Sequence, residues 1–257
     1  MTDTNTTTGA AATSATIDIR RADTRPRTEL GWLDGRHSFS FGSHYDPTNL
    51  GHGLLIVSND DRVAPGGGFG THGHRDMEIV SYVIEGALAH QDSMGNGTAG
   101  GAHAGVIQPG DVQRMSAGTG VRHSEFNHSR EATTHFLQIW ILPERAGIAP
   151  GYEQKHFSAE SKRGRLVPVA SRDGADGAVT IHADAAIHAG LFDGAERAER
   201  ALDPTRLTYV HVVRGALDVN GERLQAGDAV TVRQEPMLVL SGGADAEVLV
   251  FDLSPRA

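Results

Sequence analysis

Ligand-type side chains recur at every second position in two short stretches, His72-Gly73-His74 and His123-Ser124-Glu125. A β-strand turns alternate side chains to one face, so residues 72 and 74 share a direction, as do 123 and 125. If the two strands face each other across a small barrel, three imidazoles and one carboxylate converge on a point. Neutral nitrogens with one anionic oxygen suit a divalent transition metal of intermediate softness, such as iron, nickel, cobalt, copper or zinc. The spacing asks for strands and for a closed sheet.

Composition agrees. The chain has 257 residues, room for one large domain or two of roughly 100–150 residues. It holds 32 glycines and few stretches with helical period, which predicts an all-β fold with many tight turns. A net charge of −9 argues against nucleic acid as a direct partner, because phosphate binding needs a basic surface. Cysteine is absent, so no thiolate metal site or disulfide framework can form, and a reducing interior fits. The stretch from Met1 to Thr16 is rich in Thr and Ala and lacks the basic start and apolar run of a signal peptide; it reads as a disordered tail. No apolar run approaches the ~20 residues of a membrane helix, so a cytoplasmic protein without membrane contact is expected.

Strands are predicted at Leu54–Ser58, ended by the turn-prone Asn59-Asp60-Asp61, and at Met77–Ile84, Ala87–Gln91, Val112–Met115, Arg122–Phe126 and His135–Leu142. The Gly/Ala-rich segment Ser93–Gly105 reads as an exposed, mobile insertion. After Pro143–Gly151 come Leu166–Ala170, Val179–His182, Leu207–Val213, Ala216–Val219, Ala229–Val232, Met237–Leu240 and Glu247–Leu253. Two segments repeat: Tyr82–Leu88 resembles Val210–Leu217, and Gln108-Pro109-Gly110-Asp111-Val112 resembles Gln225-Ala226-Gly227-Asp228-Ala229. Repetition predicts two related barrels. The expected division is a tail at 1–16, a metal-binding barrel at 17–143 and a second barrel at 144–257. That second half offers only His211 near its Gly215, so it is expected to be metal-free, and Glu196-Arg197-Ala198-Glu199-Arg200 reads as a solvated face.

The first cluster, Gly66-x5-His72-x-His74-x3-Glu78 followed by Gly86, and the second, Gly120-x2-His123-x3-Asn127, resemble the two signature motifs of the cupin superfamily. The resemblance implies a bicupin, two tandem β-barrels. Many cupins take their carboxylate from the first motif, here Glu78. This chain also offers Glu125, and spacing leaves both open.

The stretches Gly68–Glu78, His90–Asn96, Met115–Asn127, Gly31–Asp34, His37–Phe41 and Gln138–Pro143 resemble the pirin family, closest to its bacterial branch with quercetin 2,3-dioxygenase activity. That resemblance implies His72, His74, His123 and Glu125 as metal ligands, with Glu78 in a supporting role. It implies one divalent ion, with iron expected first and nickel, cobalt, copper, manganese or zinc as alternatives. It further implies an oxidoreductase that cleaves a flavonol such as quercetin with dioxygen and releases carbon monoxide, Glu125 serving as the catalytic base. The other function carried by the resemblance is a metal- or redox-sensing regulator acting through protein partners. A monomer is expected.

Phe39, Phe41 and Met77 are candidate apolar walls for a flat substrate. His37 and His44 are expected to pack, His90 and His103 to be solvated, and His128 and His135 to lie outside the inward register.

Overall fold

The computed structural model describes residues 16–99, 101 and 105–256. The tail expected at 1–16 therefore falls almost wholly outside the described residues. Among the described residues the single α-helix is the four-residue Ala159–Lys162, and twenty strands form three sheets. The all-β expectation is met.

The arrangement follows from strands that are apolar on both faces. In Glu78–Glu85 every residue but the last is buried. Val80, Tyr82 and Ile84 join a cluster shared with Ile187, Tyr209, Leu249 and Phe251 of the second half. Ile79 and Val83 turn the opposite way into clusters of the first barrel. Thr134–Ile141 alternates likewise, with Leu137, Ile139 and Ile141 on the shared cluster and Phe136 on the inner one. These two strands sit centrally in a seven-stranded sheet, ordered Gly151–His156, Asp111–Ser116, Glu78–Glu85, Thr134–Ile141, Leu55–Val63, Leu33–His37 and Arg27–Leu30. A four-stranded sheet, Gly68–His74, Val121–Asn127, Leu88–Asp92 and Val106–Ile107, forms the other part of the first barrel.

The second half forms one nine-stranded sheet around its own apolar cluster. Two pairs of predicted strands merge there into single long ones, Leu207–Val219 and Met237–Leu253. Their pairing slips register after Val212, Arg214 and Ala216, which lets a long strand bend round the barrel. Ala185–Phe192 escaped the sequence reading because alanine and glycine are poor strand formers. It forms because strands on both sides pair with it and bury it.

Two strands cross the expected division at residue 143. Thr16–Arg20 pairs with Ala229–Arg233 in the second sheet, and Gly151–His156 pairs with Asp111–Ser116 in the first. Each barrel thus borrows an edge strand from the other half of the chain. The contact is fastened by a buried polar knot, in which Glu247 binds Lys162 at 3.0 Å and Arg214 at 2.6 Å and also accepts from the Tyr82 hydroxyl.

The predicted turn at Asn59-Asp60-Asp61 is not a turn. Leu55–Val63 runs straight through it, with all three residues 3% exposed. Partners explain the difference, since Asn59 Oδ1 lies 2.9 Å from His37 Nδ1 and Asp60 Oδ1 lies 2.7 Å from His135 Nε2. Tertiary hydrogen bonds override local turn preference.

Three buried histidines away from the first motif are held well below their ordinary pKa. Burial, then the neighbouring Arg233, lowers His52 to about 4; burial, then Arg200, lowers His188 to about 4. Burial, then Arg25, lowers His211 to about 3. In the unfolded chain each titrates near 6.5, so below that pH the unfolded state binds more protons and gains stability relative to the fold. The contribution of these three to stability should be flat above pH 6.5 and fall from there down to about 3–4, by roughly 1 kcal/mol per histidine between 6.5 and 5.5, a step that replacing each with a neutral residue should remove. Chemical denaturation across that range checks it; a midpoint that does not move would refute it.

Candidate metal centre

Gly68–His74 and Val121–Asn127 run antiparallel, and His72 lies directly opposite His123. Between His123 and Glu125 the register slips. The slip sits on the Gly68–His74 side, because Glu125 pairs with Phe69. Alternation on the other strand survives: Val121, His123, Glu125 and Asn127 are buried, while Arg122 and Phe126 are exposed. His123 and Glu125 therefore share the barrel interior, each 2% exposed. Gly68 permits the approach, for a Cβ there would lie 2.5 Å from both the Glu125 carbonyl oxygen and Phe126 Cα.

The three imidazoles close on one another. Ring centroids are 4.4 Å apart for His72 and His123, 4.8 Å for His72 and His74, and 4.9 Å for His74 and His123. His72 Nε2 and His123 Nε2 are 3.0 Å apart. Two nitrogens bound at ~2.1 Å to one ion at a right angle stand about that far apart. His72 Nδ1 lies 2.8 Å from the Gly70 carbonyl oxygen and donates to it, which leaves Nε2 with a lone pair. Burial, then His123 and His72, lowers His74 to about 4; burial, then His72 and His90, lowers His123 to about 3. Both rings are neutral at physiological pH, the form that ligates metals.

One candidate donor atom from each of His72, His74 and His123 falls within 4.8 Å of the others. Glu125 Oε2 stands 4.0 Å from His123 Nε2. Its two oxygens accept from Gln138 Nε2 at 3.0 and 2.8 Å, and Oε1 also accepts from Ser81 Oγ at 3.3 Å. Glu78, the other candidate carboxylate, is fully buried elsewhere. Its Oε2 accepts from Ser116 Oγ at 2.8 Å, and burial raises its pKa. The three histidines, with Glu125 beside them, fit a divalent ion by donor chemistry and by spacing.

A cavity of about 400 Å³ opens on this cluster, lined by His72, His74, Glu125 and Gln138 and walled by Trp32, Leu33, Phe41, Phe69 and Trp140. Of the expected walls only Phe41 is present. Phe39 packs on Tyr209 with centroids 5.7 Å apart, and Met77 packs in the cluster of Ile79 and Met115. Trp140 was missed although it sits two residues beyond Gln138 on one strand, the same-face spacing that marked the histidines. His37 lines the cavity while both its nitrogens are engaged, with Asn59 at 2.9 Å and Thr28 at 2.8 Å. His44 lines a separate, polar cleft with Asp18, Arg20 and Asp46. His128 is exposed, whereas His135 is buried against Asp60.

His90 corrects the sequence reading. It is 1% exposed, not solvated, and its ring lies 5.3 Å from that of His123. The segment expected to be exposed contributes Asn96, 6% exposed, whose side-chain amide donates to Asp92 at 2.8 Å. His103 lies outside the described residues.

Comparison with known proteins decides the family. Residues 19–141 match the pirin family, and residues 168–253 match the quercetinase C-terminal cupin domain. The chain belongs to the pirin family. An Escherichia coli relative described as quercetin 2,3-dioxygenase is 41% identical over 239 residues, covering 93% of this chain and 99% of that protein. A pirin-like protein of Caulobacter vibrioides is 40% identical over 238 residues, covering 92% and 99%. The crystal structure of the E. coli pirin YhhW in complex with nickel(II) superposes with a TM-score of 0.86 at 39% identity, covering 93% of this chain and all of that one. The bicupin expectation holds for this pirin.

Proposed function

We propose that this pirin is a metal-dependent dioxygenase that cleaves a flavonol such as quercetin, with the ion held by His72, His74, His123 and Glu125. The observation that carries the reading is the closure of three imidazoles beside a carboxylate, at the base of an aromatic-walled cavity. The names of close relatives support the substrate class.

A cation in that donor set would acidify the flavonol 3-hydroxyl by stabilising its oxyanion and would draw substrate and dioxygen together. Trp32, Phe41, Phe69 and Trp140 offer apolar faces to a flat ring system and displace water from it. Glu125 accepts the 3-hydroxyl proton on a carboxylate oxygen and returns it to the product carboxyl. Gln138 and Ser81 hold Glu125 in position for that exchange. The two atoms of dioxygen end in an ester and a carboxyl group. The bonds on either side of carbon 3 break, and that carbon leaves as carbon monoxide.

Iron is the proposed native metal; the nickel complex of the E. coli relative is evidence that its fold accepts a divalent ion. No helix among the described residues is long and apolar enough to cross a membrane, and we place the protein in the cytoplasm as a monomer. Incubating the iron-loaded protein with quercetin in air tests the function. The flavonol absorbance should fall as one carbon monoxide per flavonol is released, and chelation should stop both. Turnover that survives complete removal of metal would overturn the reading.

A further inference from the structure

The Leu88–Asp92 strand lies on the far side of Val121–Asn127 from Gly68–His74, and it carries an Asp–His couple that the function above leaves unused. Across that ladder His90 stands directly opposite Glu125, and Asp92 opposite His123. We propose that His90 is a fifth donor of the metal centre, able to complete through Nδ1 the set of His72, His74 and His123 when Glu125 does not bind the ion. The inference rests on the ligand set proposed above.

Three observations carry it. Among the described residues His90 Nδ1 is buried without a hydrogen-bond partner. Leaving a polar atom in that state is unfavourable, and a bound cation would offset the cost. The other nitrogen, Nε2, lies 3.0 Å from Asp92 Oδ2. Asp92 is held as an anion: Asn96 Nδ2 donates to it at 2.8 Å, and the backbone N–H groups of Met94 and Asn96 donate at 2.9 and 3.1 Å. An anionic partner fixes the proton on Nε2 and leaves the Nδ1 lone pair free. A carboxylate behind a histidine is the support that metal-bound imidazoles commonly have.

The third observation is reach. One candidate donor atom from each of His90, His123 and Glu125 lies within 4.8 Å of the others. Two donors at ~2.1 Å from one ion can be no more than about 4.2 Å apart, so His90 needs to shift by less than an ångström to share an ion with His123. His123 belongs to this trio and to the trio with His72 and His74. It is the pivot on which either His90 or Glu125 can complete the set.

Metal affinity and Cu(II) electron paramagnetic resonance test the inference on wild type, His90→Gln, Glu125→Ala and the double variant. Glutamine at 90 keeps a donor for Asp92 without an imidazole. In the wild-type background His90→Gln should change affinity less than about threefold, since Glu125 completes the set, whereas in Glu125→Ala it should cost a further ~10–100-fold. The Cu(II) spectrum of Glu125→Ala should gain one coupled nitrogen, and the double variant should lose it. Equal effects of His90→Gln in both backgrounds, or no added nitrogen, would overturn the inference. Should Glu125→Ala fail to fold, Glu125→Leu, which fills the space without offering a donor, is the second background. His123→Ala separates the failures: if it binds metal as wild type does, the ligand set itself is wrong, not only the part given to His90.

Discussion

His123→Ala should leave the protein folded but almost unable to hold metal, with flavonol cleavage lost to the same extent. His123 is 2% exposed, lies opposite His72 and belongs to both donor trios, so its loss breaks both at once. Truncation removes one nitrogen outright and frees the His72 ring that faces it at 3.0 Å. Perturbing only a residue that supports a ligand typically costs 10–100-fold in affinity, so loss of the ligand should exceed ~100-fold. Elemental analysis after dialysis gives the first readout and thermal unfolding with excess chelator the second. The apo forms of variant and wild type should unfold within a few degrees of each other, since the strand keeps its partners on both sides. Equal metal content in the two proteins would remove His123 from the site.

Glu125→Gln should separate binding from chemistry. An amide keeps one neutral oxygen for the ion, so much of the metal should remain while the ability to take the 3-hydroxyl proton disappears. A positioned general base contributes about 10²–10⁴-fold, and kcat should fall within that range. The neighbours add a second effect. Gln138 donates one amide nitrogen to both Glu125 oxygens, and an amide at 125 can accept on only one of them. Either Gln138 turns its carbonyl inward or two amide nitrogens confront each other in a buried space. The fall in kcat should therefore come with a modest loss of stability, which Glu125→Gln/Gln138→Glu should partly restore without restoring turnover. Near-normal kcat in Glu125→Gln would mean that the substrate proton goes elsewhere.

The ligand pattern was legible because it depends on strand parity alone. Two positions of one strand separated by one residue share a face whatever surrounds them, so 72 with 74 and 123 with 125 followed from the sequence. The apolar strands of the first barrel were readable from β-branched and apolar runs closed by turn residues. The choice between Glu78 and Glu125 was not legible in spacing, since both lie on strands that enter the barrel. The structure sets Glu125 beside the histidines and Glu78 against Ser116. The polar run at 59–61 misled for a related reason: local preference favours a turn, and strands on both sides, with His37 and His135 from distant parts of the chain, hold it straight.

Sequence by itself determined the all-β class, the duplication and the paired His-x-His and His-x-Glu positions proposed here as the metal site, because each depends on periodicity or on residue chemistry within a few positions. Tertiary structure alone decided which aromatic residues wall the cavity, that His90 is buried with Asp92, and that edge strands cross between the barrels. Those depend on which strands become neighbours. That follows from how apolar faces far apart in the chain are buried against one another, and no local pattern encodes it.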